Sequence, residues 1–406
     1  MANHDKYYVP KEIGGFRNIA LVVGVVALIG WAVGMYTLPE QALRSWLLGF
    51  IFWGGLSIGS LGVLMLQYLT GGAWGIVIRR TVEAGARSLP LVALMFIPLA
   101  YGVYTGKFFE WTHLSAATDE VMKHRGIFMT SWFWILRSII YFALLIFIST
   151  LLNSWSAKQD KTDSAEEATR LLGRATGFSG PIMVLYALIV TFAVVDWVMM
   201  LDPHWFSTIW GLLFVAGWAL SCFAFSVVIL AYLSDKAPMD GILGKRHFHD
   251  LGKLMLALTM VWAYFNFSQF LIIWSGNLPE ETGWFLTRMK NGWGYVGVGL
   301  ILFHFAFPFL VLLQQDFKRK AKWLATLGCF ILLMRLVDMF YQIAPAPRVT
   351  PGIENGAFIV SWLDIVAPIA IGGIWLWFFL GQLMSRPIVP VNDPFFENAI
   401  KHGKGH

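Results

Sequence analysis

Five charged residues and one histidine lie inside long apolar stretches of the chain. They are Arg137, Asp196, His304, Arg335, Asp338 and Asp364. A charge within an apolar segment of membrane length is costly, and such positions mark proton relays, ion paths or buried ion pairs. Carboxyl and imidazole groups exchange protons, so this set indicates proton transfer inside a membrane.

The acidic residues of the set differ in their local partners. Asp196 has no basic residue in its own apolar stretch, and we therefore expect its carboxyl group to stay protonated or to exchange protons. Arg335 and Asp338 are three residues apart, which places them on one face of a helix. They form either a structural ion pair or part of a functional site.

Two further candidates have ordinary alternatives. His304 is either a proton relay or a core histidine with its hydrogen bonds satisfied. Asp364 lies close to one end of its apolar stretch, where a solvated carboxylate at the membrane surface is the ordinary alternative.

The composition places these residues in a polytopic helical membrane protein. Of 406 residues, 57% are hydrophobic and only 13% are charged, against about 25% charged residues in a soluble domain. This excludes a cytosolic enzyme and a disordered chain. The apolar runs are also too long for an outer-membrane barrel, whose strands alternate over short segments.

Ten apolar runs are long enough to cross a membrane, since a spanning helix needs about 20 residues. We predict spans at 19–37, 45–70, 88–106, 131–154, 180–202, 207–233, 251–275, 293–315, 321–343 and 360–384. Spans two to five and spans six to nine each form a set of four. The predicted fold is therefore all-α, with two four-helix bundles flanked by one helix each.

Lysine and arginine are distributed unevenly between the two sides. The side with both termini carries 21 of them and the other side carries 7. Basic residues concentrate on the cytoplasmic side of membrane proteins, so both termini are expected in the cytoplasm. The net charge of +6 then reflects orientation and anionic lipid, and indicates no nucleic-acid partner.

The charged residues inside the spans share one depth. Counting about 1.5 Å per residue from the cytoplasmic ends, all five lie in the outer half of the membrane. Tyr264, Asn266 and Gln269 fall at a similar level of span seven. We therefore predict one or two polar pockets that open to the outer side, and a cytoplasmic half that is poorer in polar groups.

Binding sites for redox metals and nucleotides are not evident. Of nine histidines only His304 lies well inside a span, whereas a bis-histidine haem needs facing pairs. The two cysteines are too few for an iron–sulfur cluster or a zinc site. We expect no metal and no cofactor of its own in this chain.

Two long motifs resemble a known family. They are GGLSIGSLGVLMLQYLTGGAWGIVIRR with the following TVEAGARSLPL, and VVDWVMMLDPHWFSTIWG at the junction of spans five and six. They are similar to the smaller NrfD-type (PsrC-like) membrane subunit of bacterial alternative complex III. The resemblance extends over the whole chain.

The resemblance implies a part in a respiratory chain. Alternative complex III oxidises quinol and passes the electrons to cytochrome c or a terminal oxidase. Its haem c groups and iron–sulfur clusters belong to partner subunits, which also include a larger NrfD-type subunit. This chain would support quinol oxidation without a cofactor and would contain a proton half-channel.

The resemblance also selects a stretch of residues around the end of span five. Asp196 matches the intramembrane acid, and Asp202, His204 and Trp205 would form the outer turn beside a quinone. The candidates for proton transfer are Asp196, His204, His304, Arg335, Asp338 and Asp364.

Two other functions remain open from the sequence. A secondary transporter would place the outer charges in a substrate site between repeats, although transporters tend to have broken helices near the membrane midplane. A structural scaffold would only bind partner subunits and lipids.

Overall fold

The chain is an all-α, multi-pass membrane protein. The computed structural model describes residues 7–10, 12–115, 117 and 119–404, and this part contains no strand. Ten helical segments in it are long and apolar enough to cross a membrane. Numbered as spans 1 to 10, they are Ile13–Thr37, Pro39–Thr70, Ala73–Tyr104, Ser131–Gln159, Ala165–Leu201, Trp210–Leu233, Lys245–Gly276, Trp293–Leu313, Ala321–Ile343 and Leu363–Met384.

Spans 2 and 3 begin earlier than predicted. Span 2 begins at Pro39, whose missing backbone donor suits the first turn of a helix. Span 3 begins at Ala73, after Gly71 and Gly72, whose φ angles of 64° and 95° allow the sharp reversal. Both extensions are rich in charge. The prediction excluded them because hydropathy does not reveal that buried charges can pair with one another.

Three of the spans are not continuous α-helices. Span 3 consists of Ala73–Arg87, Leu89–Met95 and Ile97–Tyr104, with prolines at positions 90 and 98 just after the two breaks. Span 8 contains a π-helical segment, Leu300–Ala306, between Trp293–Gly299 and Phe307–Leu313. Span 5 ends with a short 3₁₀ turn, Met199–Leu201, after Trp197.

The predicted arrangement of two four-helix bundles is confirmed. Spans 2 to 5 pack together, as do spans 6 to 9, and the bundles meet where spans 2 and 5 contact span 6. Span 1 packs along span 10, and span 10 packs against span 2. The contact between spans 2 and 6 needs glycine, because a Cβ atom on Gly59 would lie 2.6 Å from the Trp218 carbonyl oxygen.

The described parts of the chain before span 1 and after span 10 lie on one side of the molecule, which we call the termini face; the other side is the far face. The backbone N–H of Ile388 donates to the carbonyl of Tyr7 at 2.8 Å. The C-terminal helix, Phe396–Lys404, packs against the starts of spans 3 and 7. On the far face, the linker helix Pro279–Met289 connects spans 7 and 8, and the loop between spans 3 and 4 holds a short helix, Glu120–Arg125.

Candidate functional site

The first bundle buries a saturated ion pair. Arg137 on span 4 donates from Nε and Nη2 to the two carboxylate oxygens of Asp196 on span 5, both at 2.8 Å. The Tyr141 hydroxyl donates to the same carboxylate at 2.8 Å. Asp196 thus has a basic partner on a neighbouring span, although its own span contains none, and the reason for expecting it to stay protonated or to exchange protons is removed. A bidentate arginine from a neighbouring helix stabilises the ionised carboxylate. The prediction considered only residues of the same span and therefore did not include this partner.

The surroundings of this pair leave no polar atom free. Arg137 also donates to the Phe128 carbonyl at 2.9 Å, and its guanidinium lies 3.8 Å from the centre of the Phe128 ring. The Trp134 indole donates to the backbone carbonyl of Asp196 at 2.8 Å. Asp196 itself is fully buried. This pair is closed to ligands and is suited to holding spans 4 and 5 together.

The structure separates the residues that were expected to surround a quinone near span 5. His204 is half-exposed and contacts Asp119, not Asp196, with Nε2 2.8 Å from the Asp119 carboxylate. This hydrogen bond holds the pKa of Asp119 below its ordinary value. Trp205 contacts the linker helix Pro279–Met289 instead. Its indole N–H donates to the Glu281 carbonyl, and its ring stacks on the Trp284 ring with the two centroids 4.9 Å apart.

Asp202 lies at the same turn and is partly buried. Desolvation by burial raises the pKa of its carboxyl group above the ordinary value, and the positive charges of Arg288 and His204 only partly oppose this. No contact joins Asp202 to Asp196 among the hydrogen bonds of the described residues. The predicted set of Asp196, Asp202, His204 and Trp205 is therefore not a single pocket.

The second bundle holds a related ion pair in a different setting. Arg335 and Asp338 on span 9 form the predicted pair at a spacing of three residues, and both are buried. Asp338 also accepts hydrogen bonds from the Trp262 indole at 3.0 Å and from the Gln342 amide at 3.3 Å. Spans 7 and 9 are thereby tied together through one carboxylate.

His304 lies next to this pair without a hydrogen-bond partner. Its ring is fully buried and meets the Trp262 ring edge-on, with centroids 4.2 Å apart. Neither ring nitrogen has a partner within the described residues. The expectation of a satisfied core histidine is therefore wrong. The π-helical turn around His304 belongs to a class of distortions that is frequent at functional sites.

A cavity of about 1030 Å³ adjoins Asp338 in the far-face half of the second bundle. Spans 7, 8 and 9 and the linker helix form its walls, most of them aromatic or aliphatic. Its polar lining residues are Tyr264, Asn266, Arg288, Tyr295, Asp338, Tyr341 and Gln342. Exposed side chains of spans 7 and 8, such as Phe267 and Val298, mark the side on which it opens. The cavity lies at the predicted level of Tyr264 and Asn266, but its walls are mostly apolar, whereas the prediction was of polar pockets, and Gln269 is not among its lining residues.

Arg288 is the lining residue that sequence reasoning missed, because it was placed in an outer loop. It is buried, and its guanidinium lies 3.7 Å from the centre of the Trp284 ring. Its nitrogens donate to the backbone carbonyls of Trp284, Tyr341 and Gln342. No carboxylate forms an ion pair with it in the described part of the chain. Burial lowers the pKa of this guanidinium to about 9.

Asp364 belongs to a separate cluster on the far face, at the start of span 10. Its carboxylate accepts from the Ser45 hydroxyl at 2.5 Å, from the Gln41 amide at 2.9 Å and from the Ser361 backbone at 2.8 Å. Next to it, Glu40 and Arg44 pair within span 2 at 3.2 Å. These contacts connect spans 2 and 10 with the loop before span 10, so the Asp364 carboxylate holds these three elements together.

The termini-face half is richer in buried charge than predicted. Arg79 pairs with Asp393 at 2.5 Å, and Arg80 pairs with Glu83 at 2.6 Å and with Asp160. The prediction of a polar-poor cytoplasmic half is therefore wrong. The prediction placed Arg79, Arg80 and Glu83 in a connection between spans, whereas in the structure they lie within span 3, inside the bundle. The spacing of three residues between Arg80 and Glu83 indicated their ion pair in the sequence. Nothing in the sequence indicated that the distant Asp393 would pair with Arg79.

Metal ligation and sequence comparison add no further site. Within the ranges that the structure describes, no group of three or more histidine, cysteine, aspartate or glutamate side chains could hold a metal ion. No protein-family model matches this chain, and no curated protein matches it in sequence.

Proposed function

We propose that this chain is the smaller NrfD-type subunit of an alternative complex III in a bacterial inner membrane, with both termini in the cytoplasm. It supports quinol oxidation by partner subunits that hold the iron–sulfur clusters and c-type haems, and electrons leave towards cytochrome c or a terminal oxidase. The observation that carries the proposal is the buried Asp338 beside a membrane-facing cavity. Such a carboxylate takes up a proton where quinol is oxidised and passes it to the outer side.

The architecture supports the same assignment. Ten spans in two bundles, connected by short loops, leave little mass outside the membrane for redox domains. Oxidation of one quinol releases two protons and two electrons, and in the proposed complex the partner subunits take the electrons while this chain serves the protons. The larger NrfD-type subunit would occupy a neighbouring position in the membrane.

A secondary transporter is the second candidate, and one observation favours it. Span 8 changes to a π-helix near its middle, next to a cavity large enough for a small solute. Transporters form substrate sites at such interrupted helices. Uptake of a solute by the purified chain in liposomes would favour this function over the first.

Purification tests the proposal directly. The chain, tagged at one terminus and extracted from its native membrane in mild detergent, should bring down a multi-haem cytochrome c and an iron–sulfur protein. Haem staining and metal analysis of the purified material measure this. Purification of the chain alone, repeated in a second mild detergent, would contradict the assignment to alternative complex III.

Asp338→Asn tests the role in proton transfer. In the purified complex, quinol turnover with its coupled proton release should fall at least about 100-fold, because a positioned proton acceptor contributes at least about 10²-fold to such reactions. Glu354→Gln is the control, since Glu354 is an exposed acid on the same face. Normal turnover of an intact Asp338→Asn complex would remove Asp338 from the proton path.

A further inference from the structure

We propose that the termini face carries a binding site for the headgroup of one anionic phospholipid, formed where span 7 begins and where the chain passes from span 8 to span 9. Four basic side chains hold the phosphate of this lipid: His249, Lys253, Lys318 and Arg319. The site lies at the opposite end of the second bundle from the cavity beside Asp338. It is therefore independent of the proposed function.

Lys318 is a buried cation without a partner. It is only 5% exposed, and its ammonium group forms no ion pair and no hydrogen bond within the residues that the structure describes. Lysine is almost never buried to this extent unless it is paired. The nitrogen itself is not fully enclosed, in contrast to the unpartnered ring nitrogens of His304, so an anion can reach it. A bound phosphate would supply the missing counter-charge.

The stem of Lys318 is held against span 7. A Cβ atom on Gly252 would lie 2.8 Å from Cγ and 2.9 Å from Cδ of Lys318, so the stem packs directly on the backbone of this glycine. On the same span, His249 and Lys253 are four residues apart and share one face of the helix. The charges of Lys253, Lys318 and Arg319 all lie close enough to act on the His249 ring. Two segments of the chain thus bring four basic groups to one place.

The nearby carboxylates do not neutralise this cluster. Asp250 lies 3.5 Å from the Lys253 ammonium group, and its second oxygen is 2.8 Å from Nε2 of His402. Asp316 is exposed and forms no ion pair in the described ranges. Burial lowers the pKa of the Lys318 ammonium group, and the positive charge of Lys253 lowers it further. Since like charges face each other here without compensation, an anionic ligand is favoured.

The start of span 9 favours an anion as well. The span begins at Ala321, two residues after Arg319, and no side chain caps its first backbone N–H groups. Its first turn contains no acidic residue, although a helix start is positively polarised and carboxylates are preferred there. Lys320 and Lys322 add further positive charge at this end, and Lys322 has only the exposed Asp235 as a partner, at 3.6 Å. Uncapped N–H groups at such an end bind phosphate.

The surroundings of the cluster match a phospholipid better than a free phosphate. Leu310 and Leu313 at the end of span 8 and Trp323 at the start of span 9 are exposed. Apolar side chains thus continue from the basic groups towards the membrane interior, as acyl chains require, and tryptophan is typical of the membrane–water boundary. The termini face is the expected cytoplasmic side, where basic pockets between spans bind anionic headgroups.

Native mass spectrometry tests the proposal on the full chain, purified in neutral detergent with any partners that it retains. Dioleoyl phosphatidylglycerol is compared with dioleoyl phosphatidylcholine, which has the same acyl chains and no net charge. We expect one phosphatidylglycerol to bind at least about tenfold more tightly, because its phosphate receives charged hydrogen bonds without an opposing cation. Equal affinity for the two lipids would overturn the proposal. Complete displacement of the lipid by excess inorganic phosphate would also overturn it, because free phosphate would then be the ligand.

Lys318→Met removes the buried charge and keeps most of the length of the stem. It should lower the affinity for phosphatidylglycerol about tenfold and leave that for phosphatidylcholine unchanged. Lys158→Met is the matched control, because Lys158 is an exposed lysine on the termini face of the first bundle and has no ion pair in the described part of the chain. Equal phosphatidylglycerol affinities of these two variants would contradict the site.

Lys253→Met keeps the test decisive if Lys318→Met does not fold. The Lys253 side chain is 58% exposed, so its replacement leaves the packing of the bundle intact. Loss of one lysine near an anionic headgroup should weaken phosphatidylglycerol binding about fivefold. Native affinity in Lys253→Met would reject the proposed position of the phosphate.

Discussion

Asp196 in the first bundle and Asp338 in the second are both buried aspartates paired with an arginine. Around Asp196, every nitrogen of the Arg137 guanidinium and the Tyr141 hydroxyl group has a hydrogen-bond partner. Around Asp338, the Gln342 amide oxygen lacks a partner, and a cavity adjoins the carboxylate. Both nitrogens of His304 are unpartnered as well. Since nearly all buried polar groups in folded proteins are satisfied, unsatisfied ones so close to Asp338 distinguish its surroundings from those of Asp196.

The two aspartates also illustrate two different roles of an ion pair inside a membrane. A pair can hold helices together, and then every polar atom is bonded and no space remains. A pair can also serve ligand or proton exchange, and then some hydrogen-bonding capacity and some space are left over. Depth in the membrane does not distinguish these cases, because both aspartates lie in the far-face half of their spans.

Removal of each arginine should give the largest effect and test this comparison. Arg137→Met leaves Asp196 with one hydrogen bond in a closed site, so we expect a loss of about 3–5 kcal/mol in the free energy of unfolding. Arg335→Met should cost less, because Asp338 keeps the donors Trp262 and Gln342 and adjoins the cavity. Denaturation in matched detergent measures both.

The double variant Arg137→Leu with Asp196→Leu is the control for this experiment. A closed pair that serves only packing can be replaced by apolar side chains at little cost, so stability should return close to that of the native chain. Equal losses for Arg137→Met and Arg335→Met would break the distinction between the two bundles.

His304→Phe should have a smaller effect, of the opposite sign. The histidine buries two unpartnered nitrogens beside Trp262, and an apolar ring of similar size removes that cost. We expect the free energy of unfolding to stay equal or rise by about 1 kcal/mol, while quinol-dependent activity of the complex falls. A clear loss of stability would show that His304 has a partner and would weaken the contrast with the first bundle.

The smallest effect concerns the far-face loops of the first bundle, outside the membrane. The contact with His204 lowers the pKa of Asp119 from its ordinary 3.8. A lowered carboxyl pKa contributes stability that is complete above 3.8 and is lost as the pH falls through the folded-state value. The protection of backbone amides in the loop between spans 3 and 4, relative to their intrinsic exchange rates at each pH, should therefore fall at acidic pH. Asp119→Asn should show this loss of protection already at neutral pH. Equal exchange in the native chain and in Asp119→Asn would exclude the contact between Asp119 and His204.

The fold followed from the sequence more completely than the site did. Hydropathy predicted ten spans and the grouping into two bundles. Its errors occurred at Arg44, Arg79 and Arg80, which were placed in connections but lie in helices and are buried. Hydropathy scores each residue as if it faced lipid alone, so it cannot recognise a charge that is neutralised by a partner from a distant part of the chain.

Contacts within one helix were predictable, and contacts between helices were not. The pair Arg335–Asp338 follows from helix geometry, since residues three apart lie on one face. The partner of Asp196 is 59 residues away in the sequence, and its identity depends on how spans 4 and 5 are rotated against each other. The free acceptor of Gln342 and the cavity beside it depend on the packing of spans 7, 8 and 9 together.

The sequence by itself determined that this is a ten-span helical membrane protein and that its scarce intramembrane charges carry the functional question. The reason is that transfer of a side chain into lipid depends on its own chemistry. Only the tertiary structure decided which charges are closed structural pairs and which adjoin a ligand-sized space, because the satisfaction of a buried polar atom is a property of all the helices around it.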